Sequence, residues 1–453
     1  MAAAMSSNLA SPQPNIPGRG ILAGYSARFW GLVVVIGAGT GLAAAAFIEL
    51  LELVEQLSWG RPAADFLAGI RAASPLRHIV VLALAGVVGA GGTLLVRRLR
   101  SSGGGEISEA LWLGRARLEL VPSLIRGLIS IVTVGMGASL GREAAPQLAG
   151  AALASELCDR NPRRITAAQR RLLVASGAGA GMAAVYNVPF GGALFALEVL
   201  LGSLALPLVL PALLMSIVAT AVGWLVIATH PTFSVGAFSV HGTQLAWAAL
   251  VGPLAGLVAV AWVRIVAVAN RNRPARRLTR MLAPIFIFAA LGAVSIEYPQ
   301  LLGNGSSLAQ LALAGSLSVG LFGVLLALKP IATGSCLASG SPGGLFMPTL
   351  AIGVLFGGLL GHGWNELWPG ASVGSYALIG GGAVLAAAMQ GPLAATVLIL
   401  ELTGSGGSLM VPLLLAVGEA TVLARLLNTP SIYSARLAQP HHRPEHSAGD
   451  LLS

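Results

Sequence analysis

Charge is the first thing this chain lacks. Only 10% of its 453 residues are Asp, Glu, Lys or Arg, against roughly 25% in typical soluble domains. Lysine is reduced to a single residue, Lys329, and cysteine to two, Cys158 and Cys336. Two cysteines so far apart fit neither a disulfide framework nor a metal site. Strict apolar–polar alternation is missing too, which excludes a membrane β-barrel. Met1–Gly24 is polar and rich in Ser, Pro and Gly, without the basic-then-apolar pattern of a signal peptide. What remains is apolar: 55% of the residues are hydrophobic, the mean hydropathy is +0.81, and runs such as Gly31–Leu51 and His78–Leu95 are continuous. The fold class expected is an all-α polytopic membrane protein.

The net charge of +10 rests on 26 arginines and Lys329. They gather at Arg97–Arg100, Arg160–Arg171 and Arg264–Arg280, short loops that the positive-inside rule assigns to the cytosol. This basicity therefore belongs to membrane topology, and nucleic acid is not an expected partner. An even number of crossings should separate each pair of clusters.

The chain also repeats itself. Gly177–Ala180 through Pro189 to Glu198 matches Gly380–Ala383 through Pro392 to Glu401, at an offset of 203 residues. Gly141–Pro146 and Gly343–Pro348 form a second pair, offset by 202. Between the halves lie a polar stretch, Thr229–Gln244, and an apolar run, Leu245–Ala269. Similar halves interrupted by Gly and Pro at matching positions point to a transporter-like fold whose site forms where broken helices meet. The organisation expected is a cytosolic tail over 1–24, membrane repeats over 25–245 and 246–437, and a short cytosolic tail over 438–453. Roughly 16 to 18 helical segments, many too short to span simply, should make up the two repeats.

Three breaks stand out. Ser101-Ser102-Gly103-Gly104-Gly105-Glu106-Ile107 can form a nest of N–H groups capped by the Ser102 hydroxyl. Gly141-Arg142-Glu143-Ala144-Ala145-Pro146 carries an ionisable pair inside apolar surroundings, an expensive placement that is a site hypothesis by default. A helix starting there leaves free N–H groups and a positive dipole end beside the Glu143 carboxylate. Gly340-Ser341-Pro342-Gly343-Gly344-Leu345-Phe346-Met347-Pro348 frees the backbone so that the N–H groups of Leu345 and Phe346 can face a ligand.

Together these breaks resemble the signature motifs of the CLC family of chloride channels and chloride/proton antiporters. Ser101–Ala110 resembles the family's GSGIPE segment, Gly141–Ala145 its GREGP, and Gly344–Pro348 its GxFxP. Ser431-Ile432-Tyr433-Ser434-Ala435 resembles the segment that holds its anion-coordinating tyrosine. Order and spacing agree over about 400 residues, from Arg28 to Leu437. The resemblance implies two inverted-topology repeats, a homodimer with one pathway per subunit, and chloride or a similar monovalent anion as substrate, with no cofactor beyond the bound ion. It implies a bacterial type of chain, placed in the inner membrane with both termini cytosolic. The Ser102 and Tyr433 hydroxyls and the Leu345 and Phe346 N–H groups would hold a central anion. Backbone groups at Gly141, Arg142 and Glu143 would line an outer site, with Glu143 as the gate. Helix N-termini bind anions with partial charge, and conduction needs binding weak enough to release. The Arg142 side chain should accordingly point away from the pathway.

Departures from the family pattern bear on mechanism. Gly104 and Gly105 stand where isoleucine and proline are usual, and Ala144-Ala145-Pro146 replaces the glycine-proline after the gate. Glu198-Val199 replaces the two consecutive glutamates of family antiporters, the second of which accepts the internal proton. Valine carries no proton, so uncoupled or weakly coupled movement is expected. Strict exchange would need another internal site, with Glu198 and Glu419 the candidates and Glu401 the repeat partner of Glu198. Glu198 reads equally well as a structural cap. Gly137-Ala138-Ser139-Leu140-Gly141 matches the G-x-S-x-G nucleophile pattern, which has meaning only after a strand in an α/β fold; a hydrolase at Ser139 is the remote alternative, a non-conducting scaffold a third. No enzyme is expected. Ala438–Ser453 is too short to fold alone, so the nucleotide-sensing C-terminal CBS domains of some relatives are not expected.

Overall fold

The computed structural model describes residues 25–60, 66–99, 106–114, 116–161, 163–236, 238, 241–405 and 407–437. Seventeen α-helices run through these residues, and none of the described residues lies in a β-strand. Eight helices are long and apolar enough to cross a bilayer, among them Ala27–Trp59, Gly242–Arg271 and Phe346–Leu367. Others, including Pro189–Leu194 and Pro392–Thr403, are too short. The protein is therefore a multi-pass integral membrane protein. The division expected after residue 245 falls inside the helix Gly242–Arg271, because the His241 N–H bonds Gln244 Oε1 at 2.9 Å and starts the helix at Gly242.

The repeat detected in the sequence is a repeat of packing. Helix Ala144–Asp159 lies against Ala167–Tyr186, and helix Phe346–Leu367 against Val373–Met389. Both pairs cross at glycines. A Cβ on Gly150 would meet the Gly177 carbonyl oxygen at 2.1 Å, and one on Gly353 would meet Gly381 Cα at 2.8 Å. Small residues let membrane helices approach this closely, where packing rather than the hydrophobic effect holds them. Helices Ala167–Tyr186 and Val373–Met389 then stop in the same way, at Asn187 and Gln390, whose φ values are +57° and +60°. Pro189 and Pro392 restart the next helices, each as a first-turn proline.

The glutamate nine residues after each proline shows how the halves face each other. Glu198, in the π-helical turn Phe195–Leu201, accepts from the Leu393 and Ala394 N–H groups at 3.2 and 2.6 Å. Glu401 accepts from the Phe190 and Gly191 N–H groups at 3.1 and 2.6 Å. Each carboxylate thus satisfies orphan donors at the start of the other repeat's helix. This exchange is possible only if the two helices run antiparallel, which is what inverted topology means at this junction. Glu198→Ala and Glu401→Ala should each lower the thermal midpoint of the purified protein, by the equivalent of about 1 kcal/mol for a lost N-terminal acceptor. Unchanged midpoints in both variants would show that the exchange contributes nothing to stability.

Candidate functional site

The second and third breaks meet. Gly141 and Gly344 form an isolated antiparallel bridge, with N–H···O bonds of 2.7 Å from Gly141 to Gly344 and 2.8 Å in return. This pairing brings the N-terminus of helix Ala144–Asp159 beside that of helix Phe346–Leu367. Glu143, the N-cap residue of the first, is buried, and its carboxylate reaches across to the second. Its Oε1 accepts from the Phe346 N–H at 2.8 Å, and its Oε2 from the Tyr186 hydroxyl at 2.9 Å. The glycines make room for it. A Cβ on Gly344 would lie 1.9 Å from Glu143 Oε1, and one on Gly141 would lie 2.3 Å from both carboxylate oxygens.

A cavity of about 50 Å³ opens beside this carboxylate, lined among others by Glu143, Leu345, Tyr433, Gln147, Ser130 and Arg436. About 10–15 Å³ suffices for one water, so the space suits a small ion with little hydration. Gln147 Nε2 and Ser130 Oγ are buried in this wall with no hydrogen-bond partner among the described residues. Both can offer hydrogens to an anion. Tyr433 is positioned by its neighbour Ile432, whose N–H bonds the Ala388 carbonyl at 2.7 Å. Its hydroxyl contacts Met389 Sδ at 3.8 Å and its ring meets Phe195 edge-on at 5.5 Å.

Most of the sequence-predicted residues converge here: Glu143, Leu345, Phe346 and Tyr433 surround one place, with Gly141 at its edge. The Gly141 N–H is committed to Gly344 and is not offered to an ion. The Arg142 side chain turns away from the cavity, its guanidinium 5.2 Å from the Tyr186 ring centroid. Ser102 lies outside the described residues. Glu198 caps a helix of the other repeat, and Glu419, whose Oε2 has no partner among the described residues, packs near Gly252; neither lines the cavity. Ser139 and Lys329 are fully enclosed. Lys329 Nζ donates to Ser139 Oγ at 2.9 Å and to the Leu301 carbonyl at 3.2 Å, and Thr333 Oγ1 lies 3.1 Å from the same Oγ. No substrate carbonyl can reach Ser139, so the nucleophile pattern is a structural clasp and the hydrolase reading has no support.

Sequence reasoning missed Tyr186 and the ionic group at Glu106. Tyr186 is the last residue before the Asn187 helix stop, and a buried phenol needs a partner. Glu106 lies 2.5 Å from Arg126 Nη2 and 2.9 Å from Arg436 Nη2. All three line the cavity. Their signal was weak because the charges are far apart in the chain.

The geometry has close parallels. The family model described as "Voltage gated chloride channel" matches residues 88–425. A ClcB-like protein of Ralstonia nicotianae is 32% identical over 418 residues, covering 89% of this chain and 95% of its own length. The voltage-gated ClC-type chloride channel ClcB of Salmonella dublin is 30% identical over 422 residues, covering 90% and 98%. Among solved structures, a slow cyanobacterial Cl⁻/H⁺ antiporter has the same fold, with a TM-score of 0.79 at 22% identity over 90% of this chain and 97% of that one. The family-model match over residues 88–425, together with relatives 30–32% identical along nearly the whole chain, makes this protein a member of the voltage-gated chloride channel, or CLC, family.

Proposed function

We propose that this chain moves chloride and similar monovalent anions along a pathway gated by Glu143, without strict coupling to protons. The observation that carries the reading is the bond from the Phe346 N–H to Glu143 Oε1. There the carboxylate takes a helix N-terminal donor that an anion would otherwise take. Protonating Glu143, or displacing it, releases that donor to the ion.

Charge in the cavity wall supports the choice of a monovalent ion. Glu106 and Glu143 oppose Arg126 and Arg436, so the four formal charges cancel while Glu143 is ionised. Neutralising Glu143 leaves one positive charge, which one monovalent anion balances. The Gln147, Ser130 and Tyr433 donors favour anions over cations.

Weak coupling is supported by Val199, which is buried and cannot carry a proton, and by Glu198, whose carboxylate is occupied by two N–H groups of the other repeat. The rival is strict chloride/proton exchange, favoured by the fold shared with a protein titled an antiporter. It would require a proton site that the cavity wall supplies only as Glu106, and two guanidiniums there stabilise the ionised form. The homodimer rests on the family resemblance. A cytosolic location of both termini rests on the arginine clusters, and an inner-membrane location on the bacterial relatives.

Chloride-loaded vesicles clamped with valinomycin should release chloride when they hold this protein; absence of anion flux refutes the reading at its root. In the same vesicles, Glu143→Gln and Glu143→Ala should transport at a rate independent of external pH. Retained pH dependence would remove Glu143 from the gate. Gly344→Ala should behave like them with Glu143 intact, because its methyl group takes the space of Oε1; a wild-type pH profile would show that the carboxylate gates from elsewhere. A proton gradient alone should drive no sustained uphill chloride movement. A fixed chloride-to-proton ratio would establish exchange instead.

A further inference from the structure

A second cavity, of about 170 Å³, lies where the last arginine cluster of the sequence, Arg264–Arg280, contributes to its wall. Arg126, Arg273 and Arg280 line it together with Thr93, Ser339 and Pro342, and no carboxylate among the described residues does. Arg126 and Pro342 also line the smaller anion cavity. The Nε atoms of Arg273 and Arg280 are buried and have no hydrogen-bond partner among the described residues. An Arg280 Nη2 donates to the Ala275 carbonyl, which holds the side chain in place without neutralising it. Glu106, the nearby acid, is shared between Arg126 and Arg436. Arg273 and Arg280 form no salt bridge among the described residues.

Such a group is poorly suited to conducting an ion. Several full positive charges, with no carboxylate among the described residues lining the same wall, hold an anion rather than release it, whereas in the smaller cavity Arg126 and Arg436 are offset by Glu106 and Glu143. Guanidiniums are planar forks that match the paired oxygens of a phosphate, and a halide offers no such geometry. The cavity is more than three times the volume of the other. Its wall also leads straight to the gate: Ser339, Gly340 and Pro342 run directly into Gly343 and Gly344, the partner of Gly141.

We propose that Arg273, Arg280 and Arg126 form a regulatory site for a phosphate group. The phosphate is either the free inorganic ion or the headgroup of an anionic lipid. Once bound, its negative charge opposes anions in the neighbouring cavity through the shared Arg126 and slows chloride transport. The site does not depend on whether transport is proton-coupled.

The test uses the full chain, purified in neutral detergent and stripped of anionic lipid. Radiolabelled inorganic phosphate should bind stoichiometrically in equilibrium dialysis. Arg273→Gln/Arg280→Gln should weaken binding by roughly tenfold or more, as expected when charge-assisted bonds are lost, while leaving chloride flux unchanged in phosphate-free buffer. Flux through the wild type should fall at least about twofold with phosphate on the arginine-bearing side, or in phosphatidic acid vesicles compared with phosphatidylcholine alone. The double variant should show neither effect. Slowing by the lipid without binding of free phosphate assigns the site to a headgroup; slowing by free phosphate assigns it to the ion. Equal phosphate binding by the variant, or no effect from either source, overturns the proposal. So does phosphate binding that chloride displaces and Tyr433→Ala abolishes, since that phosphate would sit in the transport pathway.

Discussion

Two backbone hydrogen bonds between Gly141 and Gly344 set the terms for the rest of the molecule. They join loops more than 200 residues apart in the chain and place two helix N-termini at one point. Each brings unpaired N–H groups and about half a positive charge. A carboxylate or an anion is the natural occupant of that point, and the space exists only because neither glycine has a side chain. The surrounding structure buttresses the pair. Lys329 ties Ser139 to the Leu301 carbonyl, the Gly303 N–H bonds the Gly137 carbonyl, and Arg436 reaches the Gly343 carbonyl. The chain's single lysine is thus spent inside the protein, on the loop that delivers Glu143.

Full positive charges near Glu143 each meet a partner. Arg142, adjacent to the gate, lies over the Tyr186 ring and interacts electrostatically with Glu55. Arg126 and Arg436 share Glu106. Beside these offset charges, the cavity wall offers the partial charges of Gln147, Ser130 and Tyr433. The phenol that accepts the Arg142 stacking also donates to Glu143, so one side chain both holds a cation and seats the carboxylate.

Much of this was legible in the sequence, for identifiable reasons. Glycines and prolines marked the breaks because backbone constraints are local, and the repeat exposed them twice. Glu143 stood out because a carboxylate in an apolar stretch is costly. Tyr186 did not stand out because its repeat counterpart is Met389, so comparing the halves hid it. The exchange between Glu198 and Glu401 needs the antiparallel relation of the two helices, which spacing alone does not give, although the equal distance from proline to glutamate was its trace. Glu106, Arg126 and Arg436 come together only through tertiary packing, since their positions span 330 residues. Ser102, one of the expected hydroxyl donors, lies outside the described residues.

The two repeats differ most tellingly where their broken helices meet. Their shared scaffold comprises the glycine crossings, the left-handed helix stops, the restarting prolines and the exchanged glutamates. On that scaffold, Glu143 in the first half corresponds to Leu345 in the second. A side-chain acceptor in one repeat therefore faces a backbone donor in the other, and a symmetric pair could not do this. Two carboxylates at that point would repel and two leucines would leave the helix-end donors without an acceptor. The helix stops diverge in step: Tyr186 donates to Glu143, while Met389 at the matching position offers a sulfur to Tyr433. Symmetry supplies the meeting of two positive helix ends, and the broken symmetry leaves one of them carrying a titratable carboxylate that accepts from the other.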